Sequence, residues 1–153
     1  MSNRRTFLKQ ACGATCGLIA SVLLGDLVKA APVPGKKPYK AEMDEQNRVN
    51  IPLEALEEEV LTIRVKDLEY DVLLYRKTVE AGVEYKAVYL RCTHFDNGLK
   101  VTPGGLVCSM HGSRFDFEGN VTESPAQRPL LQFPVTANTE TNFITIQIQN
   151  HEQ

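Results

Sequence analysis

The chain has 153 residues, 42% of them apolar, and a formal charge of −2. That length holds one self-supporting domain, and an ordinary composition without low-complexity tract or visible repeat excludes the fibrous and disordered classes. The first 31 residues carry four cations (Arg4, Arg5, Lys9, Lys29) and one anion (Asp26); without them 13 cations face 18 anions, which argues against nucleic acid as a partner.

In chain order, the first element is a leader. SNRRTFLK, Ser2 to Lys9, sets two arginines ahead of Phe7 and Leu8, and an apolar run follows from Ala11 to Gly25. Val28-Lys29-Ala30 then offers small residues at the spacing a signal peptidase reads. A positive n-region, a short h-region and a small-residue exit describe an export signal. Residues 1–31 are therefore predicted to be a twin-arginine-type signal peptide, which places the mature protein in the periplasm. A membrane anchor wants about 20 apolar residues, and this run is shorter and ends at Asp26. Retention of the leader as an anchor is the alternative, and only then is a membrane a partner. Cys12 and Cys16 lie inside the apolar run and read as small hydrophobes.

Residues 32–47, rich in Pro, Lys and Glu, read as a linker or an irregular lead-in. From Arg48 to about Asn150 the character changes. RVNIPL, EVLTIRV, YDVLLYR and EYKAVYLR are short runs of Val, Ile, Leu and Tyr between polar or glycine-bearing turns. In VLTIRV, Val60, Thr62 and Arg64 alternate with Leu61, Ile63 and Val65, as a half-buried strand requires. KTVEAGVEY reads as a hairpin turning at Ala81-Gly82, and NFITIQIQ alternates again near the end. Only LEALEEEV has helical character, and it is short; Glu57, Glu58 and Glu59 read as an exposed face. The expectation is an all-β domain of small antiparallel sheets, sandwich-like or barrel-like. Between about 91 and 128 the strand pattern weakens and Gly, Pro, Asn and Ser accumulate, so the chemistry is expected on loops held by that scaffold.

Those loops hold Cys92-Thr93-His94 and, with thirteen residues between His94 and Cys108, Cys108-Ser109-Met110-His111. Two thiols and two imidazoles suit zinc, copper or iron–sulfur chemistry and not the hard cations. Zinc fingers usually pair Cys with Cys and His with His, whereas each loop here supplies one of each. A cluster of two irons with mixed ligands needs that alternation, because each loop then donates one residue to each metal. Two other readings stand beside it: a structural zinc-binding β-domain, and a domain whose two mature cysteines form a disulfide.

CTHFDN and CSMHGSRFD, together with Gly112, Ser113, Phe115 and Asp116, resemble the Rieske [2Fe–2S] proteins, whose motifs run C-T-H-x-G-C and C-P-C-H-G-S-x-F/Y-D. GNVTESPAQRPL resembles the proline-bearing third loop that covers the cluster in that family. The likeness extends in pattern from about Arg48 to Gln149 and is specific from Arg91 to Leu130. It implies a Rieske-like fold with a cluster-binding loop subdomain over about 91–128, and one [2Fe–2S] cluster with Cys92 and Cys108 on one iron and His94 and His111 on the outer one. Replacing two anionic thiolates by neutral imidazoles removes negative charge and eases reduction, which is why such centres reach about −150 to +300 mV against about −400 mV for plant-type ferredoxins.

Ser113 is expected to donate its hydroxyl to a bridging sulfide, and Gly112 to let the chain pass close to the cluster. Gly98, Gly104 and Gly105 are expected to supply positive φ in the tight loops, and Pro125 to stiffen the covering loop. Disulfide-bearing members have cysteines where this chain has Asn97 and Met110, and high-potential members often carry a tyrosine where it has Phe115. Donors to cluster sulfur stabilise the reduced state, so the expected potential lies below that of the quinol-oxidising members. The resemblance implies one-electron transfer to or from a redox partner protein, a cytochrome, a quinol complex or a molybdenum subunit, and the leader places it in the periplasm. The chain is then a stand-alone carrier, the small subunit of a molybdenum oxidoreductase such as arsenite oxidase, or the Rieske subunit of a quinol–cytochrome complex. No nucleophile motif, phosphate loop or paired carboxylate argues for catalysis by this chain alone, and His151 reads as a solvated tail residue.

Overall fold

The structure is a computed structural model that describes residues 37–149. The predicted leader with Cys12 and Cys16, the first part of the linker, and His151 lie outside the described residues. Twelve short strands and a single 3-10 turn make up the described chain. A five-stranded sheet holds β1 (Tyr39–Ala41), β3 (Val60–Val65), β4 (Val72–Val79), β5 (Gly82–Tyr89) and β10 (Gln132–Phe133), in that spatial order. A three-stranded sheet sets β12 (Phe143–Gln147) between β11 (Val135–Asn138) and β2 (Arg48–Pro52). The third sheet is a meander of β6 (Lys100–Thr102), β7 (Gly105–Val107), β8 (Arg114–Phe115) and β9 (Val121–Glu123). The pairings are antiparallel except that of β1 with β3. The all-β expectation holds.

Side-chain alternation explains how three sheets share the work. Val49 and Ile51 of β2, Ile63 and Val65 of β3, Val72 and Leu74 of β4, and Ile144 and Ile146 of β12 bury themselves in one core, between the three-stranded and five-stranded sheets. Leu73 and Val88 point to the other face of the five-stranded sheet, where a second core gathers Leu90, Leu99, Leu106, Phe115, Ala126 and Leu130. Successive residues of a strand face opposite sides, so the run Val72-Leu73-Leu74, buried throughout, marks a strand covered on both faces. The second core is the one that matters for the site: Cys92 and Cys108 belong to it.

Two segments take a more definite form than their sequence shows. The described part of the predicted linker is folded: Tyr39–Ala41 pairs in register with Ile63–Val65, and Tyr39, Ala41 and Met43 pack on the first core. The Asp44 carboxylate then accepts the Gln46 and Arg48 amides and the Arg48 Nε, each at 2.9 Å, closing the turn into β2. A three-residue strand is too short to show periodicity. In LEALEEEV only Leu53–Ala55 is helical, as one 3-10 turn; Leu56 alone of that stretch is buried, and Glu57–Glu59 are exposed.

Candidate metal centre

The two Cys-His loops are built on different supports. The second lies between β7 and β8, which pair through Leu106–Phe115 and Val107–Arg114. Within it the Cys108 amide donates to the Ser113 carbonyl at 2.9 Å and the Gly112 amide to the Cys108 carbonyl at 3.0 Å. Gly112 takes φ of +83°, a value open to glycine, where this loop turns back. The first loop runs from the end of β5 to the start of β6 with one isolated bridge, Arg91 to Gly98, at its neck. Its Cys92 amide donates to the Asn97 carbonyl at 2.8 Å, the same five-residue closure as in the second loop.

This scaffold separates the four candidate ligands by chemistry. Cys92 and Cys108 are both free thiols with 0% exposure, inside the second core. His94 and His111 are exposed, and their rings meet edge to face with centroids 4.9 Å apart at 89°. Phe95 (68% exposed) and Met110 (62% exposed) stand beside them, with the Phe95 ring 6.1 Å from that of His111. The thiols thus lie at an inner, water-poor end and the imidazoles at an outer one. Among the described residues no three His, Cys, Asp or Glu side chains converge on one point; a two-iron cluster with two protein ligands per iron asks for two pairs.

The third loop ties both to one another. The Thr93 hydroxyl donates to the Arg128 carbonyl at 2.6 Å, and the Ala126 amide donates to the Ser113 Oγ at 3.0 Å. The Leu130 amide closes that loop on the Gly119 carbonyl at 2.8 Å. Ser113 is the one buried polar residue among the described ones, at 0% exposure. Its oxygen is engaged by Ala126, and none of the protein hydrogen bonds among the described residues uses its proton as donor. A buried hydroxyl with an unspent proton, two buried thiols and two surface imidazoles form a donor set that fits an iron–sulfur cluster.

Glycine expectations divide. Gly105 has φ of +131°, and a Cβ there would run into the Phe115 carbonyl oxygen. Gly98 and Gly104 are not among the positive-φ glycines; the ring of Tyr70 lies over Gly98 instead. The left-handed position of the first loop falls on Asp96, with φ of +22°, where the motif C-T-H-x-G-C has glycine. Arg91 grips that residue: its Nε is 3.0 Å from Oδ1 and its terminal nitrogen 2.9 Å from Oδ2. The Arg91 guanidinium holds the Asp96 carboxyl below the usual carboxylate range, and the Tyr70 hydroxyl donates to the Asp96 carbonyl. Sequence reasoning missed Tyr70, Arg91 and Asp96. The available signal was an aspartate at the motif's glycine position with an arginine just before the first cysteine.

The fold and the paired loops are those of a small β-sheet metalloprotein domain. The family model of the Rieske [2Fe-2S] domain matches residues 38–134, more than half of the chain, and the chain belongs to that family. Membership supports an iron–sulfur electron-transfer role. The fold is similar to that of the cyanobacterial plasma membrane Rieske protein PetC3 from Synechocystis PCC 6803, with a TM-score of 0.53 and 23% identity over 65% of this chain and 99% of that one. No curated protein matches the chain.

Proposed function

We propose that this chain is an exported one-electron carrier or the electron-transfer subunit of a periplasmic oxidoreductase, with Cys92 and Cys108 holding one iron of a [2Fe–2S] cluster and His94 and His111 the other. The observation that carries the reading is the division of the four side chains, thiols wholly buried and imidazoles at the surface 4.9 Å apart. When bound, such a cluster takes up and returns a single electron.

The chain's own contribution is positional. Leu73, Val88, Leu99 and Leu106 surround the thiol end with apolar surface and exclude water from it. The exposed histidines bring the other end to where a partner can approach, and Phe95 and Met110 give that approach an apolar rim. That rim fits a redox protein, whether cytochrome, quinol complex or molybdenum subunit, better than a nucleic acid. The Ser113 proton is left to donate to cluster sulfur, which favours the reduced state. Phe115 offers no second hydroxyl, and positions 97 and 110 carry no cysteines. The midpoint potential is therefore lower than that of disulfide-bearing, quinol-oxidising members, and film voltammetry giving a value near about +300 mV would contradict this.

The natively matured protein should be red-brown, bleach with dithionite, and contain iron and acid-labile sulfide in equal amounts. Cys92→Ser or Cys108→Ser should abolish both. A colourless protein with stoichiometric zinc sinks the proposal. The twin-arginine leader supports export of the folded, loaded chain. An R4K/R5K precursor should stay in the cytoplasm, and undiminished export of that variant would remove the periplasmic assignment.

A further inference from the structure

The two cluster loops carry the same five-residue closure but unequal support. The second is framed by paired strands on both sides, while the strand pairing of the first is limited to the isolated Arg91–Gly98 bridge at its neck. Cys92 and Cys108 are free, so no covalent link among the described residues joins the loops. Apart from the Thr93 hydroxyl bond to the Arg128 carbonyl of the third loop, at 2.6 Å, what holds the first loop, and with it the His94 imidazole, to the sheet lies elsewhere.

The candidate is in the connection between β3 and β4. Tyr70 is fixed to the central sheet by its own amide, which donates to the Tyr89 hydroxyl at 3.2 Å, and by an edge-to-face contact of the two rings at 5.8 Å and 76°. From there it reaches the first loop twice: its hydroxyl donates to the Asp96 carbonyl, and its ring covers Gly98. On the other side Arg91 takes both oxygens of the Asp96 carboxylate, a two-point fork that fixes orientation as well as distance. Asp96 sits two residues after His94 and in a backbone region that a non-glycine residue seldom keeps without help. The residue at the crest of the loop is therefore clamped through its backbone by one group and through its side chain by another.

We propose that Tyr70 and Arg91 are positioning residues that latch the first cluster loop to the central sheet through Asp96, so that His94 is held opposite His111 without a covalent bridge between the loops. The proposal rests on the cluster reading above for its consequence and on the loop geometry for its mechanism. The latch acts on one loop, whereas a general packing role would act on both.

Tyr70→Phe keeps the ring over Gly98 and removes only the hydroxyl, so the fold is not put at risk. In the holo-protein, cluster loss to a chelator should be about fivefold faster, the effect expected from the net loss of one hydrogen bond. Amide exchange at Cys92 and Leu99 should accelerate by a similar factor, with Cys108 and Gly112 unchanged. Arg91→Met should act in the same direction and less strongly, since the pair is exposed. In an N97C/M110C background, oxidised to join the loops, Tyr70→Phe should lose most of its effect on both readouts. Unchanged exchange at Cys92 in Tyr70→Phe, equal acceleration in both loops, or an undiminished effect after bridging would each overturn the latch. A wild-type chain that takes up no iron would defeat the cluster reading alone, because the exchange measurement is read on the chain with or without iron.

Discussion

Ser113 and Phe115 show how single atoms set the properties of such a centre. The Ser113 oxygen takes the Ala126 amide and leaves its proton free of protein acceptors among the described residues. Ser113→Ala should lower the midpoint potential by about 60 mV, since a hydrogen bond worth about 1.4 kcal/mol corresponds to about 59 mV for one electron. It also leaves the Ala126 amide unpaired and should destabilise the protein by about 1–3 kcal/mol. Phe115→Tyr tests the opposite change. Phe115 is buried at 1% exposure, so a hydroxyl there is costly unless it finds a partner. A higher potential with stability retained would mean it reaches cluster sulfur; a lower melting temperature with the potential unmoved would mean it does not. The four ligand candidates were legible as residue types in fixed spacing. Tyr70 was not, because its 26-residue separation from Asp96 carries no local pattern.

Strand elements decide which face each residue serves. Leu73 and Leu74 are neighbours in β4 and equally buried, yet Leu74 enters the core between the five-stranded and three-stranded sheets and Leu73 the core that contains the cysteines. Truncating either to alanine should cost about 2–5 kcal/mol by thermal or denaturant unfolding. Only Leu73→Ala should also speed cluster loss well beyond what the stability change predicts, and equal loss rates for the two variants would break this division of labour. Gly105 is the corresponding test for the meander. Its φ of +131° and the proximity of the Phe115 carbonyl leave no room for a Cβ, so Gly105→Ala should destabilise the β7–β8 pair by more than the 0.5–1 kcal/mol usual for a helix or strand glycine, on the order of 2 kcal/mol or above. Alternation in β12 and in the second half of β3 was readable in advance, since burial follows it along β12 and over Ile63–Val65. β1, β10 and β11 were not, being two to four residues long and specified by their partners.

Across the whole molecule, one ion pair that joins two sheets and one that closes a turn give stability two pH limits. Lys77 of β4 meets Glu118, in the turn between β8 and β9, at 2.5 Å, and the Glu118 carbonyl accepts from Gln132 Nε2 at 2.7 Å. The hydrogen bond to Glu118 raises the Lys77 pKa, so its contribution is complete below the unfolded value of about 10.4 and is lost as pH rises through the folded value. Asp44 is the converse: backbone donation from Arg48 lowers its pKa, so its contribution is present above about 3.9 and is lost as pH falls through the folded value. Melting temperature against pH should therefore fall at both ends; Asp44→Asn should flatten the acid limb and Lys77→Gln the alkaline one, and limbs unchanged by these variants would assign them to other groups. By itself the amino-acid order determined the strand-rich class, the Cys-x-His and Cys-x-x-His pairs and the family they belong to, because those depend on residue type and short spacing. Tertiary structure alone decided that the thiols lie in the core and the imidazoles outside, that the third loop pins the other two, and that Tyr70 clasps Asp96. Burial and long-range contact are properties of a closed surface, and they exist only once distant segments have come together.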